Sequence, residues 1–490
     1  MSARGTIPRE VDVAVVGGGV VGCAIARALS QFELDVCLID RETDVGFGTS
    51  KANSGIIHAG HHSASGTLKG TLEWAGNQQW GPLADELGIG FERVGDLTVA
   101  FDEDEVATLE RLRRQAVERE VPGVELWDGP RLRREEPNLS PEIVAGLFAP
   151  STGVINPYEA CFALAEDAVA NGVSLLLDAP VHSIDVVPDG LALGLPEGTV
   201  QARVVVNAAG LGADRIEAMV GLHTFDLVAR KGEEYLLDKR LEGLVRRIVF
   251  PCPTPTSKGT LVIPTFDGTI MIGPTAVDVD DRDDLTTTSD GAAQVLRAAR
   301  RLVPGISPGD CIAEFAGVRA VATTNDFVIG ATEVPGFVNV AGIQSPGLTA
   351  APAIAELATR LVAEQGLALS PEPSPVPFER CPVPVRDLDG ATRAERASAD
   401  PAFGRVVCRC ELVTEGEVRG AIRRGATTLD GVKFRTRAGM GRCQGGSCTW
   451  RVMEALSAET GRPVDALTKR GGDSWLVLRR EDPMIDGATS

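Results

Sequence analysis

The feature that most constrains the fold is a glycine-rich turn between an apolar run and a helix, close to the start of the chain. Residues 11–16 form an apolar run rich in β-branched side chains, as a buried parallel strand requires. Gly17, Gly19 and Gly22 follow it, and Asp40 ends the next apolar run. Such glycines allow a tight turn, a close approach of backbone to a pyrophosphate and tight helix packing, while the acid binds an adenosine ribose. The pattern predicts a dinucleotide-binding α/β unit and leaves FAD and NAD both open.

Composition and charge narrow the classes of function. The chain has 490 residues, of which 43% are hydrophobic and 24% charged, as is typical of a globular protein with two or three domains. Its net charge of -20 argues against binding to nucleic acid or directly to an anionic membrane, but not against a small anionic substrate. The sequence shows neither a secretory signal nor an apolar run long enough to span a membrane. We therefore expect a cytoplasmic protein that reaches the inner face of a membrane only through a partner.

A loop rich in glycine and hydroxyl groups, residues 46–60, follows the dinucleotide-binding unit. Its composition suits a segment that wraps a polar cofactor with backbone and hydroxyl contacts. The loop contains His58 and is followed by His61 and His62, and these are three of the five histidines in the chain. A metal site is disfavoured because no carboxylates accompany them at matching spacing. Histidine titrates near neutrality, so one of the three is a candidate proton acceptor.

Two patterns alternate along the rest of the N-terminal region. Residues 204–207 return to the buried-strand pattern, whereas residues 228–302 alternate over much of their length as antiparallel strands do. This predicts a second sheet inserted into the first domain. Residues 127–137 are turn-like by composition. Residues 311–321 and 337–350 are predicted to return to the first domain, the latter as a glycine turn that runs into a helix.

Ten cysteines are present, and four of them are clustered towards the C-terminus. Cys408, Cys410, Cys443 and Cys448 lie beyond a proline-rich spacer, and glycines surround the second pair. In a cytosolic chain such clustering favours metal binding over disulfides. Four thiolates suit either a tetrahedral zinc ion or an iron–sulfur cluster. Glycines would let backbone N–H groups approach cluster sulfurs, which tunes the reduction potential.

Four motifs together resemble those of the D-amino-acid-oxidase-like FAD oxidoreductases: the glycine turn with Asp40, the loop at 49–55, the strand end at 207–210 and the closing motif at 342–350. Within that group, the Ser-Gly-Ile-Ile-His-Ala-Gly segment and the Lys258 region look most like FAD-dependent glycerol-3-phosphate dehydrogenases and oxidases. They look almost equally like L-2-hydroxyglutarate oxidases. The resemblance covers roughly residues 11–366 and is specific for the fold and the flavin rather than for the substrate.

The resemblance implies a bound FAD with its isoalloxazine at the boundary of the second domain and the substrate between flavin and sheet. The residues that would bind FAD share glycine, hydroxyl, amide or helix-terminal character, and they are Gly17, Gly19, Gly22, Asp40, Arg41, Thr49, Ser50, Asn53, Ser54, Ala209, Gly210, Gly317, Gly342, Gly347, Leu348 and Thr349.

The same resemblance implies three catalytic residues. His58 matches a histidine near the flavin that would accept the alcohol proton, Arg319 matches a position that grips the substrate anion, and Lys258 resembles a lysine of the oxidase motif. The chemistry agrees for two of them, because hydride leaves a secondary C–H readily only if the O–H proton is taken, and a guanidinium binds phosphate or carboxylate bidentately. The alternatives are a structural ion pair for Arg319, a satisfied hydrogen-bonding residue for His58 and a solvated surface residue for Lys258.

The cysteine region resembles the bacterioferritin-associated-ferredoxin-like domain, which binds a 2Fe–2S cluster through four thiolates. The resemblance implies Cys408, Cys410, Cys443 and Cys448 as its ligands. Four residues separate the second pair, unlike the two-residue gap of stand-alone members but like the version fused to flavin dehydrogenases. A one-electron centre beside a flavin favours iron–sulfur over zinc, which stays the alternative. The fusion resembles the large subunit of anaerobic glycerol-3-phosphate dehydrogenases.

The predicted fold class is α/β, with a Rossmann-like FAD-binding domain, an inserted and mostly antiparallel β-sheet substrate domain, and a small C-terminal helical iron–sulfur domain. Residues 1–370 form the FAD-dependent oxidoreductase region, with FAD-binding segments at about 10–85, 152–220 and 310–368 and substrate-domain segments at about 86–151 and 221–309. Residues 371–403 form a proline-rich linker, and residues 404–490 form the 2Fe–2S domain and tail.

The predicted function is that of an FAD-dependent dehydrogenase for an anionic secondary alcohol, with sn-glycerol 3-phosphate as the first candidate and dihydroxyacetone phosphate as its product. Hydride would pass to FAD, and the 2Fe–2S cluster would pass single electrons to an acceptor protein, a membrane-anchoring subunit or a quinone. One alternative is a dehydrogenase of L-2-hydroxyglutarate or another 2-hydroxy or amino acid. Another is an electron-transfer or redox-sensing subunit without its own substrate, against which the inserted sheet argues because it would roof a pocket.

Overall fold

The computed structural model divides into two compact units, each of which is built from more than one stretch of sequence. The structure describes residues 7–253, 259–378 and 383–478. The described part of the smaller unit comprises residues 41–44 and 383–478, and the rest of the described chain belongs to the larger unit.

Strands and helices alternate through most of the larger unit, while helices dominate the smaller one. In chain order the strands are β1 (Glu10–Val16), β2 (Val36–Ile39), β3 (Ile56–Ile57), β4 (Phe91–Glu92), β5 (Asp96–Ala100), β6 (Glu125–Asp128), β7 (Ala145–Ala149), β8 (Gly153–Ile155), β9 (Ser174–Leu176), β10 (Ser183–Val187), β11 (Gly190–Leu195), β12 (Gly198–Asn207), β13 (Leu227–Leu237), β14 (Ile248–Pro251), β15 (Leu261–Pro264), β16 (Ile270–Gly273), β17 (Val277–Val279), β18 (Cys311–Ala322), β19 (Val328–Ala331), β20 (Phe337–Ala341), β21 (Val406–Cys408) and β22 (Val413–Thr414). The helices are α1 (Val20–Leu29), α2 (Leu68–Leu87), α3 (Glu103–Glu118), α4 (Gly129–Glu135), α5 (Pro157–Ala170), α6 (Ala213–Met219), α7 (Ser289–Leu302), α8 (Gly347–Glu364), α9 (Gly390–Ala399), α10 (Glu415–Arg423), α11 (Leu429–Thr436) and α12 (Thr449–Thr460).

The first sheet contains the predicted dinucleotide-binding unit. Its main strand order is β10-β11-β12-β1-β2-β9, with β20 pairing β12 and β19 pairing β20. The pairs β12–β1, β1–β2, β2–β9 and β12–β20 are parallel, and the remaining pairs are antiparallel. Helix α1 packs against α5 and α8 beside these strands. The carboxyl end of β1 therefore delivers the glycine turn to the edge at which a doubly wound sheet binds its ligand.

The second sheet is mostly antiparallel, as the sequence predicts. Its order is β17-β13-β16-β15-β14-β5-β7-β6, with β18 pairing β13 and one parallel pair between β14 and β5. Tyr235 and Leu237 of β13 share a buried core with α7, whereas Leu236 packs with Ile56 and Phe250. Successive side chains of a strand point to opposite faces. We call the side that carries Leu236 the loop face, because it meets the chain around residues 49–57.

Two segments of the larger unit differ from the sequence-based expectation because helix capping decides their structure. Residues 289–302, predicted as part of the antiparallel run, form α7, since Thr288 caps its first turn and apolar residues recur at helical spacing. Residues 127–137, predicted as turn-like, contain the end of β6 and helix α4. Asp128 accepts a hydrogen bond from the Arg131 N–H there, and a proline occupies the first turn.

Strand β18 also differs from the expectation. The sequence assigns residues 311–321 to the first domain, but β18 pairs along its length with β13 of the second sheet, from Leu227 opposite Ala322 to Leu237 opposite Cys311. An apolar strand pattern does not identify the neighbouring strand, so the two sheets could not be distinguished from the sequence. Strand β18 therefore helps to build the second sheet.

The smaller unit packs three helices, α10 to α12, and the β21–β22 pair around one apolar core that includes Val418, Val432 and Leu456. Residues 379–382 of the predicted linker, residues 371–403, lie outside the described residues. Part of the described remainder is helical, because Asp389 caps helix α9 by accepting from the Ala391 and Thr392 N–H groups. None of the helices in the described ranges combines the length and apolar composition needed to span a membrane.

Candidate active site

The glycine turn after β1 is closed by backbone contacts that leave no room for side chains. Gly17 has a φ of +111°, and a Cβ atom there would lie 2.3 Å from the Ala208 carbonyl oxygen. A Cβ atom on Gly22 would lie 1.8 Å from the carbonyl oxygen of Gly17. Helix α1 begins directly after Gly19, which provides no side-chain cap for the first turn. The helix N-terminus therefore offers N–H groups and the positive end of its dipole to an anion.

Two polar side chains complete this edge of the first sheet. Asp40, which follows β2, accepts a hydrogen bond from the Gly18 N–H. Ser50 Oγ accepts one from the Val20 N–H over 3.0 Å. This combination fits both parts of a dinucleotide. The carboxylate can accept hydrogen bonds from an adenosine ribose, and the glycine turn and helix N-terminus can donate them to a pyrophosphate. These residues therefore fit the dinucleotide half of FAD.

The hydroxyl-rich loop, residues 49–55, is tied to the second sheet. Thr49 Oγ1 donates to the Val318 carbonyl oxygen over 2.7 Å, and Ser54 Oγ donates to Glu234 Oε1 over 2.5 Å. Within the loop, the Gly55 N–H donates to Asn53 Oδ1 over 2.9 Å. A Cβ atom on the predicted residue Gly317 would lie 2.6 Å from the Cβ of Ala52, so the glycine lets β18 approach the loop.

His58 lies between this loop and the first turn of α8. Its side chain is buried, its backbone N–H donates to Thr349 Oγ1 over 3.0 Å, and its Nε2 lies 3.4 Å from Ser345 Oγ. Its ring centroid is 5.9 Å from that of Phe250, which belongs to the apolar cluster on the loop face. The fold thus holds the imidazole against the loop face of the second sheet.

Arg319 of β18 lies on the same face. It is opposite Arg230 in the β13–β18 ladder, and residues directly opposite each other in an antiparallel pair share a face. Its side chain is partly buried, and Nη2 donates to the Thr275 carbonyl oxygen over 2.7 Å. Burial lowers the pKa of Arg319, while the neighbouring Glu234 opposes this shift. The structure therefore brings a guanidinium and the imidazole of His58 to one face of the second sheet.

Glu234 also belongs to this site, although no sequence motif points to it. Only 3% of the residue is exposed, and its Oε2 atom has no hydrogen-bond partner among the described residues. Burial raises the pKa of Glu234 to about 7, against the opposing effects of the Ser54 hydrogen bond and Arg319. The available signal is the adjacent pair Glu233–Glu234 inside a mostly buried strand, because neighbouring residues of a strand face opposite sides and both carboxylates become buried.

The predicted residues at the end of the first sheet lie in turns and at a helix start. Ala209 and Gly210 form the turn after β12, and Gly342 follows β20. Gly347, Leu348 and Thr349 open α8, where the Trp80 Nε1 donates to the carbonyl oxygens of Leu348 and Thr349. These residues lie at or near the carboxyl ends of β12, which is a neighbour of β1 in the sheet, and of β20, which pairs with β12.

Two predicted residues stand apart from this group. Lys258 lies outside the described residues, so the structure does not place it. Arg41 is exposed, pairs with Glu42 over 3.3 Å and is counted with the smaller unit. Their predicted roles stay predictions.

The four clustered cysteines form two thiol pairs in the smaller unit. Cys408 and Cys448 are buried, and the Cys448 thiol hydrogen-bonds to Cys408. This bond lowers the pKa of Cys408 to about 6, as do backbone N–H groups such as that of Gly439, and it raises the pKa of Cys448. The pair therefore favours a thiolate, the form that binds a metal.

The second pair, Cys410 and Cys443, is exposed. The backbone N–H of Ser447 and the Cys410 side chain lower the pKa of Cys443. Within the described ranges, no three or more His, Cys, Asp or Glu side chains are arranged to hold one metal ion. The two pairs suit a 2Fe–2S cluster, because each of its two irons takes two protein sulfurs.

Comparison with protein families agrees with both parts of this description. Residues 12–361 match the family described as FAD dependent oxidoreductases, and residues 406–458 match the BFD-like 2Fe-2S binding domain. These matches confirm the predicted cofactors, FAD and a 2Fe–2S cluster.

Individual proteins give the same result over most of the chain. The chain is 42% identical over 469 residues to the glycerol 3-phosphate dehydrogenase of Caloramator mitchellensis, covering 95% of this chain and 98% of that protein. It is 33% identical over 361 residues to the glycerol 3-phosphate oxidase of Mycoplasma pneumoniae, covering 72% and 94%.

A solved structure shows the fold with its cofactor. The L-alpha-glycerophosphate oxidase from Mycoplasma pneumoniae with FAD bound superposes with a TM-score of 0.73 at 31% sequence identity, covering 76% of this chain and all of that one. The predicted fold class is therefore confirmed. From its two large sheets, its two cysteine pairs and these matches we conclude that the chain belongs to the family of FAD-dependent oxidoreductases and carries a BFD-like 2Fe–2S binding domain.

Proposed function

We propose that the protein oxidises sn-glycerol 3-phosphate to dihydroxyacetone phosphate. The observation that carries the proposal is Arg319, a partly buried guanidinium on the face of the second sheet that also borders His58. A cation and a proton acceptor on one face are what an anionic secondary alcohol needs. The names of the relatives from Caloramator mitchellensis and Mycoplasma pneumoniae support glycerol 3-phosphate as that alcohol.

Arg319 binds the phosphate in this proposal. Its guanidinium offers N–H groups in a planar fork that matches two oxygens of a phosphate, and its contact with the Thr275 carbonyl oxygen fixes one arm of the fork. Burial strengthens the attraction between the two charges, because the surroundings have a lower effective dielectric constant than water.

His58 takes the hydroxyl proton. The imidazole is held by its backbone bond to Thr349 and by packing against Phe250, and its Nε2 lies at the start of α8 beside Ser345. A neutral imidazole accepts a proton from an alcohol most effectively when its orientation is fixed. Removing this proton lets the C2–H bond of the substrate release its hydride.

Both cofactors have residues that would hold them. The glycine turn, Asp40 and Ser50 would bind FAD, and the pairs Cys408–Cys448 and Cys410–Cys443 would bind the cluster. FAD accepts a hydride, and a 2Fe–2S cluster passes electrons singly, here to an acceptor protein or a membrane-anchoring subunit.

An anaerobic absorbance titration of the purified, FAD-loaded protein tests the proposal. We expect sn-glycerol 3-phosphate to bleach the flavin band and then to reduce the broad iron–sulfur absorbance. Glycerol, which lacks the anion, and sn-glycerol 1-phosphate, which has the opposite configuration, serve as controls and should bleach neither band.

Titration with L-2-hydroxyglutarate is the measurement that could contradict the proposed function. If this acid bleaches the flavin and glycerol 3-phosphate does not, the proposal is wrong and the protein acts on hydroxy acids. If no small substrate bleaches the flavin but a reduced protein partner reduces it, the chain is an electron-transfer subunit.

A further inference from the structure

Arg319 and Glu234 face the same small space on the loop face of the second sheet. In the β13–β18 ladder Arg230 is opposite Arg319, Gly232 is opposite Gly317, and Glu234 follows two residues later on the same side of β13. A Cβ atom on Gly232 would lie 2.7 Å from Arg319 Nη2, so the guanidinium extends over this glycine. The two glycines thus contribute no side chains between the cation and the carboxyl group, and the space over them is bordered by Ala52 and Pro274.

Arg319 does not satisfy the hydrogen-bonding capacity of the Glu234 carboxyl group. Arg319 attracts Glu234, but among the described residues the two side chains form no ion pair within 4.0 Å, and Arg319 donates to the Thr275 carbonyl instead. Ser54 occupies Oε1, while the buried Oε2 has no hydrogen-bond partner in the described part of the chain. Buried polar atoms in native proteins are almost always paired, so an unpaired one inside a candidate site indicates a missing donor.

We propose that Glu234 determines substrate specificity by accepting a hydrogen bond from a hydroxyl group of the polyol phosphate whose phosphate group Arg319 binds. This inference rests on the proposed function and adds the group that recognises the uncharged end of the substrate. A hydroxyl supplies the donor that Oε2 lacks. A dicarboxylate of similar length would instead place a second negative charge beside Glu234.

The carboxylate of Glu234 favours a ligand with a hydroxyl group and disfavours a ligand with a second negative charge. A site built to hydrogen-bond a hydroxyl discriminates strongly against a ligand that lacks it, because the buried acceptor is then left unpaired. Like charges placed together in a buried site add repulsion to that loss. Glu234 would therefore favour glycerol 3-phosphate over 2-hydroxyglutarate, although Arg319 alone would bind either anion.

The test compares the wild-type holoenzyme with Glu234→Gln and Glu234→Asp. For each we would measure kcat/KM with glycerol 3-phosphate and with L-2-hydroxyglutarate at pH 8, where the carboxyl group of Glu234, with a pKa of about 7, is charged. The dissociation constant of glutarate, a dicarboxylate with no hydroxyl to oxidise, is read from the shift that it causes in the flavin spectrum.

We expect Glu234→Gln to lower kcat/KM for glycerol 3-phosphate by about 10- to 100-fold and to tighten glutarate binding at least about 10-fold. Glu234→Asp keeps the charge but withdraws the carboxylate. Its kcat/KM for glycerol 3-phosphate should fall by a similar factor, and it should still bind glutarate weakly. If Glu234→Gln loads no FAD, Glu234→Asp carries the test, because it should lower kcat/KM for glycerol 3-phosphate and leave the weak binding of glutarate unchanged.

Glu233→Gln is the matched control, because Glu233 is an equally buried carboxylate one residue away that points to the opposite face and accepts from Thr288 and Tyr235. It should leave the ratio of the two kcat/KM values unchanged.

Parallel losses with both substrates in the Glu234 variants would mean a structural role and would overturn the inference. If the wild-type flavin is not bleached by glycerol 3-phosphate, the proposed function fails and this inference with it. Bleaching in the wild type with unchanged selectivity in Glu234→Gln overturns this inference alone.

Discussion

The ligand edge of the first sheet is built mainly from backbone groups, whereas the loop face of the second sheet is built from charged side chains. The edge uses backbone: Gly17 and Gly22 remove side chains, and the N-terminus of α1 presents N–H groups. The loop face uses charged side chains, Arg319 and Glu234, which are held in partly or fully buried positions. The edge should therefore be sensitive to an added carbon atom and the loop face to a changed charge. Each prediction below tests one side of this comparison.

The largest effect should come from Gly22→Ala. The new methyl group would lie 1.8 Å from the Gly17 carbonyl oxygen, so α1 would have to move away from β1. Overpacking of this kind costs more than about 3 kcal/mol. We expect the purified variant to contain no FAD, as measured by the ratio of flavin to protein absorbance.

Gly305→Ala is the control for this substitution, because a Cβ atom there would meet nothing within 4 Å. It should bind FAD like the wild type. A Gly22→Ala protein with full flavin content would show that the edge of the first sheet tolerates an added methyl group. The contrast between the two surfaces would then be lost.

Arg319→Lys should have the next largest effect and should leave FAD in place. Lysine keeps the charge but loses the fork that binds two oxygens. We expect kcat/KM for glycerol 3-phosphate to fall about 100-fold, mainly through KM, in steady-state assays.

Arg230→Lys is a matched control in the same ladder, since Arg230 is opposite Arg319 but is engaged in an ion pair with Asp278 over 2.6 Å. It should change kcat/KM by less than about threefold, as expected for a solvent-accessible ion pair. Equal losses in the two variants would mean that the loss in Arg319→Lys does not come from a bidentate contact with the substrate, and Arg319 would then not be the phosphate-binding residue.

The same contrast explains what the sequence could predict. The edge of the first sheet is encoded within about 30 residues, because strand, glycine turn, helix and acid follow one another in one βαβ unit. The turn, α1 and Asp40 could therefore be located from this unit, whereas Ser50 lies beyond it and follows only from the family resemblance. The four cysteines are also recognisable locally, since Cys408 lies close to Cys410 in the sequence and Cys443 close to Cys448. The structure then pairs Cys408 with Cys448 and Cys410 with Cys443.

The loop face could not be derived in this way. It exists because β13 pairs with β18, about 80 residues later in the chain, and no short motif specifies that pairing. For the same reason β18 was assigned to the first domain, and Glu234 was read only as part of an alternating strand. Arg319 was selected through a family resemblance, whereas no family pattern drew attention to Glu234.

Glu234→Gln should stabilise the protein at neutral pH. Because the pKa of Glu234 is raised to about 7 in the folded state, its contribution to stability is complete below about pH 4.5 and is lost as the pH rises to 7. Glutamine carries no such penalty. We expect the variant to exceed the wild type in free energy of unfolding by up to about 3 kcal/mol at pH 8, and the difference to shrink towards pH 5.

Denaturant unfolding at pH 5 and pH 8 measures this difference. Glu333→Gln, at an exposed position, is the control and should follow the wild type at both pH values. A pH-independent difference for Glu234→Gln would mean that the carboxyl group is not buried as described, and the loop face would then resemble an ordinary protein surface.

The smallest effect should come from Ser50→Ala, which tests the one hydroxyl that helps the backbone edge. Ser50 Oγ accepts from the Val20 N–H over 3.0 Å, and alanine would leave this N–H to the cofactor or to water. Losing one such hydrogen bond costs about 1 kcal/mol, which corresponds to an FAD dissociation constant raised about fivefold. Fluorescence titration of the FAD-depleted protein with FAD measures it, and Ser50→Thr, which keeps the hydroxyl, should bind nearly as the wild type does. A loss in Ser50→Ala as large as that in Gly22→Ala would show that side chains, and not only backbone, control the first sheet's edge, and the two surfaces would then differ in charge alone.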